Sequence, residues 1–526
     1  MKRQKINVYV IFSIICLTSF QTLADIKLPS IISDHMVIQQ NTSVAIWGWA
    51  EINEVVKVRG SWNNITQTTV ANINGYWNVE LKSPKAGGVY EIFIEGKNKI
   101  VIKDVLAGEV WLASGQSNMA FKLMNDEKGA ETIREANYPE IRIFHIIRNE
   151  SGIPLEDCEG KWIKCVNETI KEISAVAFYF GTQLYDKLHC PIGLISSSKG
   201  GSPIESWIEE STLKENEHLH NVYTMWKVFE SKYPELKQQY TSDLETWGIN
   251  RKIAETNSCE IPLEPKMPRI VKEIELPHRR PGYLFNAMIN PIIPYTIKGV
   301  IWYQGENNIS SWENNGVRIS RAKEYVNLFQ LLISDWRSKW KQNNLPFYFV
   351  QIATYDYKEE NGEASLLRES QLKTLKTPNT GMVVTVDIGD VDDIHPTNKF
   401  EVGRRLSLWA LNKTYGFNEI ICSGPIYKKV QPEGDSLRIY FDYVGSGLSV
   451  KGESLTRFQI AGKDEKYFDA TAVIVDSSIV VFSKKVHRPK AVRYSWNFTD
   501  VPNLYNSEGL PAVPFRTDDW EIYSEK

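Results

Sequence analysis

This chain has little of what marks a special environment. Its 526 residues include only six cysteines, too few and too scattered for a disulfide scaffold. Cys158 and Cys165 are close enough for one bridge in an oxidising compartment. No cysteine sits in a C-x-x-C pair, and no His/Cys cluster has zinc spacing, so no metal site is expected. The formal net charge is only −3, with no basic stripe, which argues against nucleic acid or an anionic membrane as partner. Past the first 24 residues no apolar run approaches membrane length. Internal repeats and low-complexity segments are absent. Histidines number just eight, so candidates for a general base are few.

The residues that are present read as an exported globular protein. Lys2, Arg3 and Lys5 precede an apolar stretch, Val8–Phe20, and Thr22-Leu23-Ala24 gives a small-x-small cleavage site before Asp25. This is the pattern of a secretory leader over 1–24, so the mature chain is expected in the periplasm or outside the cell. Cys16 comes after Ile15, which is too bulky for a lipoprotein signal. Apolar residues make up 42% and charged residues 24%, an ordinary soluble composition. Sixteen Trp and 24 Tyr supply cores first, though some could stack on sugar rings.

The mature chain divides into three regions. Residues 25–107 carry short alternating runs such as "SVAIWGWA" and "VYEIFIEG" between Asn/Gly turns, which predicts a small β-sandwich. From 108 to 414 continuous apolar runs alternate with helical stretches. Val110–Ala113, Ile192–Ile195, Val300–Tyr303, Phe347–Ile352 and Met382–Val386 suit a parallel sheet buried on both faces. Tyr325, Leu328, Phe329, Leu332, Trp336 and Trp340 fall on one helical face, as do Val176, Phe180 and Leu184. The fold class is therefore α/β, a three-layer α/β/α sandwich, with a helical insertion near 205–260. Residues 415–526 return to β character.

Ligands of open parallel sheets sit beyond the carboxyl ends of the strands, so the residues at each strand end carry the chemistry. After Val110–Ala113 comes "SGQSNM", with Ser117. After Ile192–Ile195 comes "SSSKGGSPIESW", with Gly200 and Gly201. After Val300–Tyr303 comes "QGENN", with Asn307 and Asn308. After Met382–Val386 comes "DIGDVDDIHP", with Asp392, Asp393 and His395. A serine, a glycine pair, an amide and an Asp/His at successive strand ends are the parts of a serine esterase. Gln116, Gln304 and Glu306 stand beside these groups as candidate substrate contacts. Arg279 or Arg280, in "RRPGY", could grip a carboxylate bidentately.

The blocks "GQSNM", "SSKGGSPIESW", "IWYQGENN" and "DIHPTNK" resemble those of the sialate O-acetylesterase family, within the SGNH hydrolase superfamily. "RRPGYLFNAMINPI" and "NLYNSEGLPAVPFRTD" extend the similarity over nearly the whole mature chain. The resemblance implies a flavodoxin-like SGNH domain with β-rich accessory regions and removal of O-acetyl groups from sialic acid, or from other acetylated glycans such as xylan. It implies Ser117 as nucleophile and His395 as base, with no cofactor. The oxyanion hole would be the Ser117 N–H, Gly200 or Gly201, and Asn308, with Asn307 the alternative. Superfamily spacing selects Asp392 to orient His395, with Asp393 or a backbone carbonyl as alternatives. A non-catalytic sugar-binding protein on a decayed hydrolase is the rival reading, and the intact Ser, Gly, Asn and His set argues against it.

Overall fold

The computed structural model describes residues 25–314, 317–358 and 362–522; the expected leader, 1–24, lies outside them. The N-terminal region is β throughout. Tyr76–Lys82 buries every second residue, Trp77, Val79 and Leu81, the period-two pattern of a strand with one wet face. It pairs antiparallel with Ser43–Trp49. Val55–Gly60 pairs with both Thr66–Val70 and Gly87–Glu95.

The catalytic layer is a sheet of strands β1 (Lys99–Gly115), β2 (Asn137–Ile146), β3 (Gly160–Val166), β4 (Ile192–Ser198), β5 (Gly299–Tyr303), β6 (Phe347–Val350) and β7 (Thr380–Val383). Their order is β7-β6-β5-β1-β4-β2-β3. All neighbours are parallel except β3, an antiparallel edge. Strands β2 and β3 were not among the expected runs. Pro139 and Glu140 interrupt the apolar pattern of β2, and lysines dilute that of β3, as suits an edge.

Strand β1 is 17 residues long and belongs to two sheets. Its first half pairs antiparallel with Gly87–Glu95; its second half runs between β4 and β5. The boundary expected at 107/108 therefore falls inside one strand, with no linker.

Alternate residues of β1 face opposite cores. Val110 and Leu112 join one cluster, with Leu328, Phe329 and Trp336 of helix Arg321–Lys339. Trp111 and Ala113 join the other, with Val176, Phe180 and Leu406 from helices Ala175–Leu188 and Lys399–Trp409. That two-sided burial is what makes β1 read as a continuous apolar run. Each fully buried large side chain contributes about 1.5–3 kcal/mol. Ser174 caps Ala175–Leu188 by accepting from the Ala177 N–H at 3.1 Å, and Ser320 caps Arg321–Lys339 in the same way.

The insertion holds a 37-residue helix, His220–Thr256. The C-terminal region forms two antiparallel four-stranded sheets around its own core of Leu437, Ile439, Ile460, Ile479 and Val481. Among the described residues, no helix is long and apolar enough to cross a membrane. Cys158 and Cys165 are both buried free thiols, not a bridge.

Candidate active site

Strand β1 ends at Gly115 for a steric reason. Its φ is +135°, and a Cβ there would sit 2.2 Å from the Tyr303 carbonyl oxygen of β5. Only glycine tolerates both. The chain then turns: the N–H groups of Met119 and Ala120 donate to the Gln116 carbonyl at 3.0 and 2.9 Å. Ser117 stands at the start of this turn, above the sheet edge.

His395 reaches it from the loop after β7. The Ser117 hydroxyl and His395 Nε2 are 2.8 Å apart, the geometry for proton transfer from nucleophile to base. Burial lowers the His395 pKa below its ordinary value, and the Lys399 charge lowers it further against an opposing effect of Asp393. The imidazole is thereby kept neutral and able to accept.

The carboxylate nearest the ring is Asp393, not Asp392. Asp393 Oδ1 lies 3.8 Å from His395 Nδ1 and accepts the His395 backbone N–H at 2.8 Å. The second contact is an Asx-turn, which fixes the loop as well as facing the ring. Asp392 is exposed, and its N–H donates to Asp390 at 2.9 Å. Asp393 comes nearer than Asp392 because the segment is a tight turn closed on its own backbone.

The two amides considered as oxyanion donors sit differently. Gly200 lies against the nucleophile: a Cβ on it would be 3.4 Å from Ser117 Cβ. The backbone N–H groups of Ser117 and Gly200 make no hydrogen bond among the described residues. Asn308 does not face them. It is fully buried; its Nδ2 donates to Glu205 at 3.0 Å, and its Oδ1 accepts from the Ile204 N–H and from Gln304 at 3.0 and 2.8 Å. Asn307 is the amide on the glycine side, donating one N–H to the Gly201 carbonyl at 2.8 Å. Arg321 holds the loop from beneath, donating to the Asn307 carbonyl at 2.9 Å while paired with buried Glu205 at 2.6 Å.

Two of the candidate substrate contacts, Gln116 and Gln304, are engaged inside the protein. Gln116 Oε1 accepts the Gly305 and Asn307 N–H groups, both at 3.4 Å. Gln304 bonds Ser202, Asn308 and Tyr325 inside the protein. Arg279 pairs with Glu273 at 2.8 Å, and Arg280 donates to the Ile274 carbonyl and Tyr283. Arg279 Nε is buried without a hydrogen-bond partner, and Arg280 has no ion pair among the described residues.

A buried relay below the site contains Glu306, expected as a substrate contact, together with Asn118 and Lys399, which were not among the residues expected from sequence. Asn118, wholly buried, donates to Glu306 at 2.6 Å and to the Ile394 carbonyl at 3.1 Å, and accepts from Lys399 Nζ at 2.6 Å. It thus ties the residue after the nucleophile to the residue before the base. Burial pushes the Lys399 ammonium down to about 7, and pushes the Glu306 carboxyl up. Asn118 lies in "GQSNM" and Lys399 in "DIHPTNK". The signal was their adjacency to the two catalytic groups. His278 closes another side, with Nε2 3.4 Å from where a Gly201 Cβ would stand.

A three-layer α/β fold with Ser, His and backbone donors at its strand ends defines a serine-type carboxylic ester hydrolase. Residues 274–411 match the family described as carbohydrate esterase, sialic acid-specific acetylesterase, and the crystal structure of a carbohydrate acetylesterase from Xanthomonas citri is 32% identical with a TM-score of 0.78, over 94% of this chain and 100% of that one. This chain belongs to that carbohydrate acetylesterase family. It is also 29% identical to the sialate O-acetylesterase of Rattus norvegicus, over 93% of this chain and 94% of the rat protein. The figure for the Homo sapiens sialate O-acetylesterase is 27%, over 93% and 92%.

Proposed function

We propose that this enzyme is a sialate O-acetylesterase working through an acetyl-enzyme. The observation that carries the reading is the 2.8 Å contact between Ser117 and His395, set beside a free glycine N–H. Ser117 attacks the acetyl carbonyl as His395 Nε2 takes its proton. Negative charge develops on the carbonyl oxygen, where the N–H groups of Ser117 and Gly200 and the second N–H of Asn307 can meet it. Each such donor is worth about 3 kcal/mol in comparable sites. The sugar hydroxyl leaves with the proton from His395, and water then attacks the acetyl-enzyme by the reverse path. Asp393, with Oδ1 3.8 Å from His395 Nδ1, partly offsets the imidazolium charge.

A second reading keeps the chemistry and changes the sugar, since the Xanthomonas citri relative is a carbohydrate acetylesterase. Acetate release from O-acetylated sialic acid and from acetylated xylan, measured side by side, separates the two. Faster release from sialic acid is expected; release from xylan alone would move the function to plant polysaccharide. The 1–24 leader supports action outside the cytoplasm, in the periplasm or beyond.

A further inference from the structure

A cavity of about 350 Å³ has a lining that the acyl-transfer chemistry does not use. This is within the size range of small-ligand sites. It opens over the ends of β2 and β4, and Ala120, one turn past Ser117, forms part of its wall. Strand β2 is two strands from β1, roughly 10 Å at the usual spacing, which is the reach of one sugar acid from a side-chain acetate to its carboxylate.

Three polar groups in it are buried and uncommitted. Ser196 and Ser198 are 3% and 7% exposed and line the cavity, yet neither hydroxyl has a hydrogen bond among the described residues. They share a face of β4 because alternate strand residues do; Ser197, between them, points the other way and donates to the Met288 carbonyl at 3.1 Å. His145 stands in register with Ser196 on β2, and its Nδ1 is buried without a partner. Burial and the neighbouring Arg148 charge lower the His145 pKa, so the ring is a neutral donor and acceptor.

Lys122, Arg148 and Glu172 are the charged residues of the lining. Lys122 is paired with Glu172 at 2.7 Å, but Arg148, which also lines the cavity, has no hydrogen bond or ion pair among the described residues. An unpaired guanidinium above three unpaired neutral polar groups matches a ring that carries hydroxyls and one carboxylate.

We propose that this cavity is the subsite for the sugar acid: Arg148 takes the carboxylate, and Ser196, Ser198 and His145 bond the ring hydroxyls while the acetyl group reaches Ser117. The assignment rests on the sialate reading and adds the residues that would select a charged sugar over a neutral one.

The test compares acetate release from O-acetylated sialic acid with release from its carboxamide, which has the same shape and no charge. Wild type should prefer the acid by tenfold or more in kcat/KM. Arg148→Gln, at an exposed position with no partner to lose, should collapse that ratio toward one, mainly through KM for the acid. Ser196→Ala, which removes an unpaired hydroxyl, should raise KM for both sugars. A wild type that takes acid and carboxamide equally, or an Arg148→Gln variant that keeps the full preference, overturns the subsite while leaving the esterase reading intact. Hydrolysis of p-nitrophenyl acetate with no acetate released from either sugar overturns the sialate reading and the subsite together.

Discussion

Lys399 Nζ donates to Asn118 Oδ1 at 2.6 Å in the protein interior, joining the loop that presents His395 to the turn that presents Ser117. The catalytic pair is thus set by a buried amide one residue from each partner. Ser117 and His395 themselves stand 2.8 Å apart.

Lys399→Met removes both a positioning bond and a charge that lowers the His395 pKa. The acid limb of kcat/KM in the wild type should lie below the ordinary histidine value near 6.5, because a lowered pKa keeps the base neutral to lower pH. In Lys399→Met the limb should move up and kcat should fall. A limb that stays in place while activity drops would leave Lys399 a purely structural role. The pH profile of acetate release reads both.

Ser117→Ala and His395→Ala should each lower kcat by about 10⁴-fold or more, and the double variant should be no worse than either alone, since the two act as one unit. Additive losses would separate them. Steady-state kinetics on p-nitrophenyl acetate measures this directly.

Asp393→Asn should cost more than Asp392→Asn. The Asp393 side chain is 58% exposed, with its oxygen 3.8 Å from the ring, so water screens the pair. The loss should be about ten- to a hundredfold, short of the 10⁴ seen when a buried triad carboxylate is changed. Asp392→Asn should be near wild type. The opposite order would return the role to Asp392.

Asn307→Ala and Asn308→Ala should fail differently. Loss of an oxyanion donor at Asn307 should cut kcat by about 10²–10³ with the melting temperature kept. Asn308→Ala takes a partner from Glu205 Oε2, from the Ile204 N–H and from Gln304 Nε2, although Arg321 still pairs with Glu205 and Ser202 still accepts from Gln304, a stability cost of about 1–3 kcal/mol for each buried group left unpaired. Thermal melts beside kinetics distinguish the two. A melting temperature lost by Asn307→Ala, with kcat lost by Asn308→Ala instead, would reverse the assignment.

The layered α/β core was legible because two-sided burial writes itself as unbroken apolar runs. Val110–Ala113 and Phe347–Val350 could hardly be anything else. The strand-end rule then brought Ser117, Gly200 and His395 to one place from segments far apart in the chain. Choices between neighbours were not legible. Asn307 and Asn308 have identical chemistry, and only the short 3-10 turn Glu306–Asn308 decides which amide is buried on Glu205. Asp392 and Asp393 differ only by which one closes the Asx-turn onto His395. Strand β2 was hidden by its polar start, and with it the floor of the cavity lined by His145.

The unbroken strand Lys99–Gly115 has a consequence for how the enzyme can be taken apart. Its amino-terminal half is stitched to the accessory sheet and its carboxyl-terminal half delivers the nucleophile, so the accessory region is not a detachable module. Removing residues 25–107 would amputate half a strand and uncover the apolar surface of its neighbours. Recombination between relatives should therefore succeed at the loops flanking this strand and fail within it, and the two regions should melt together as one cooperative unit.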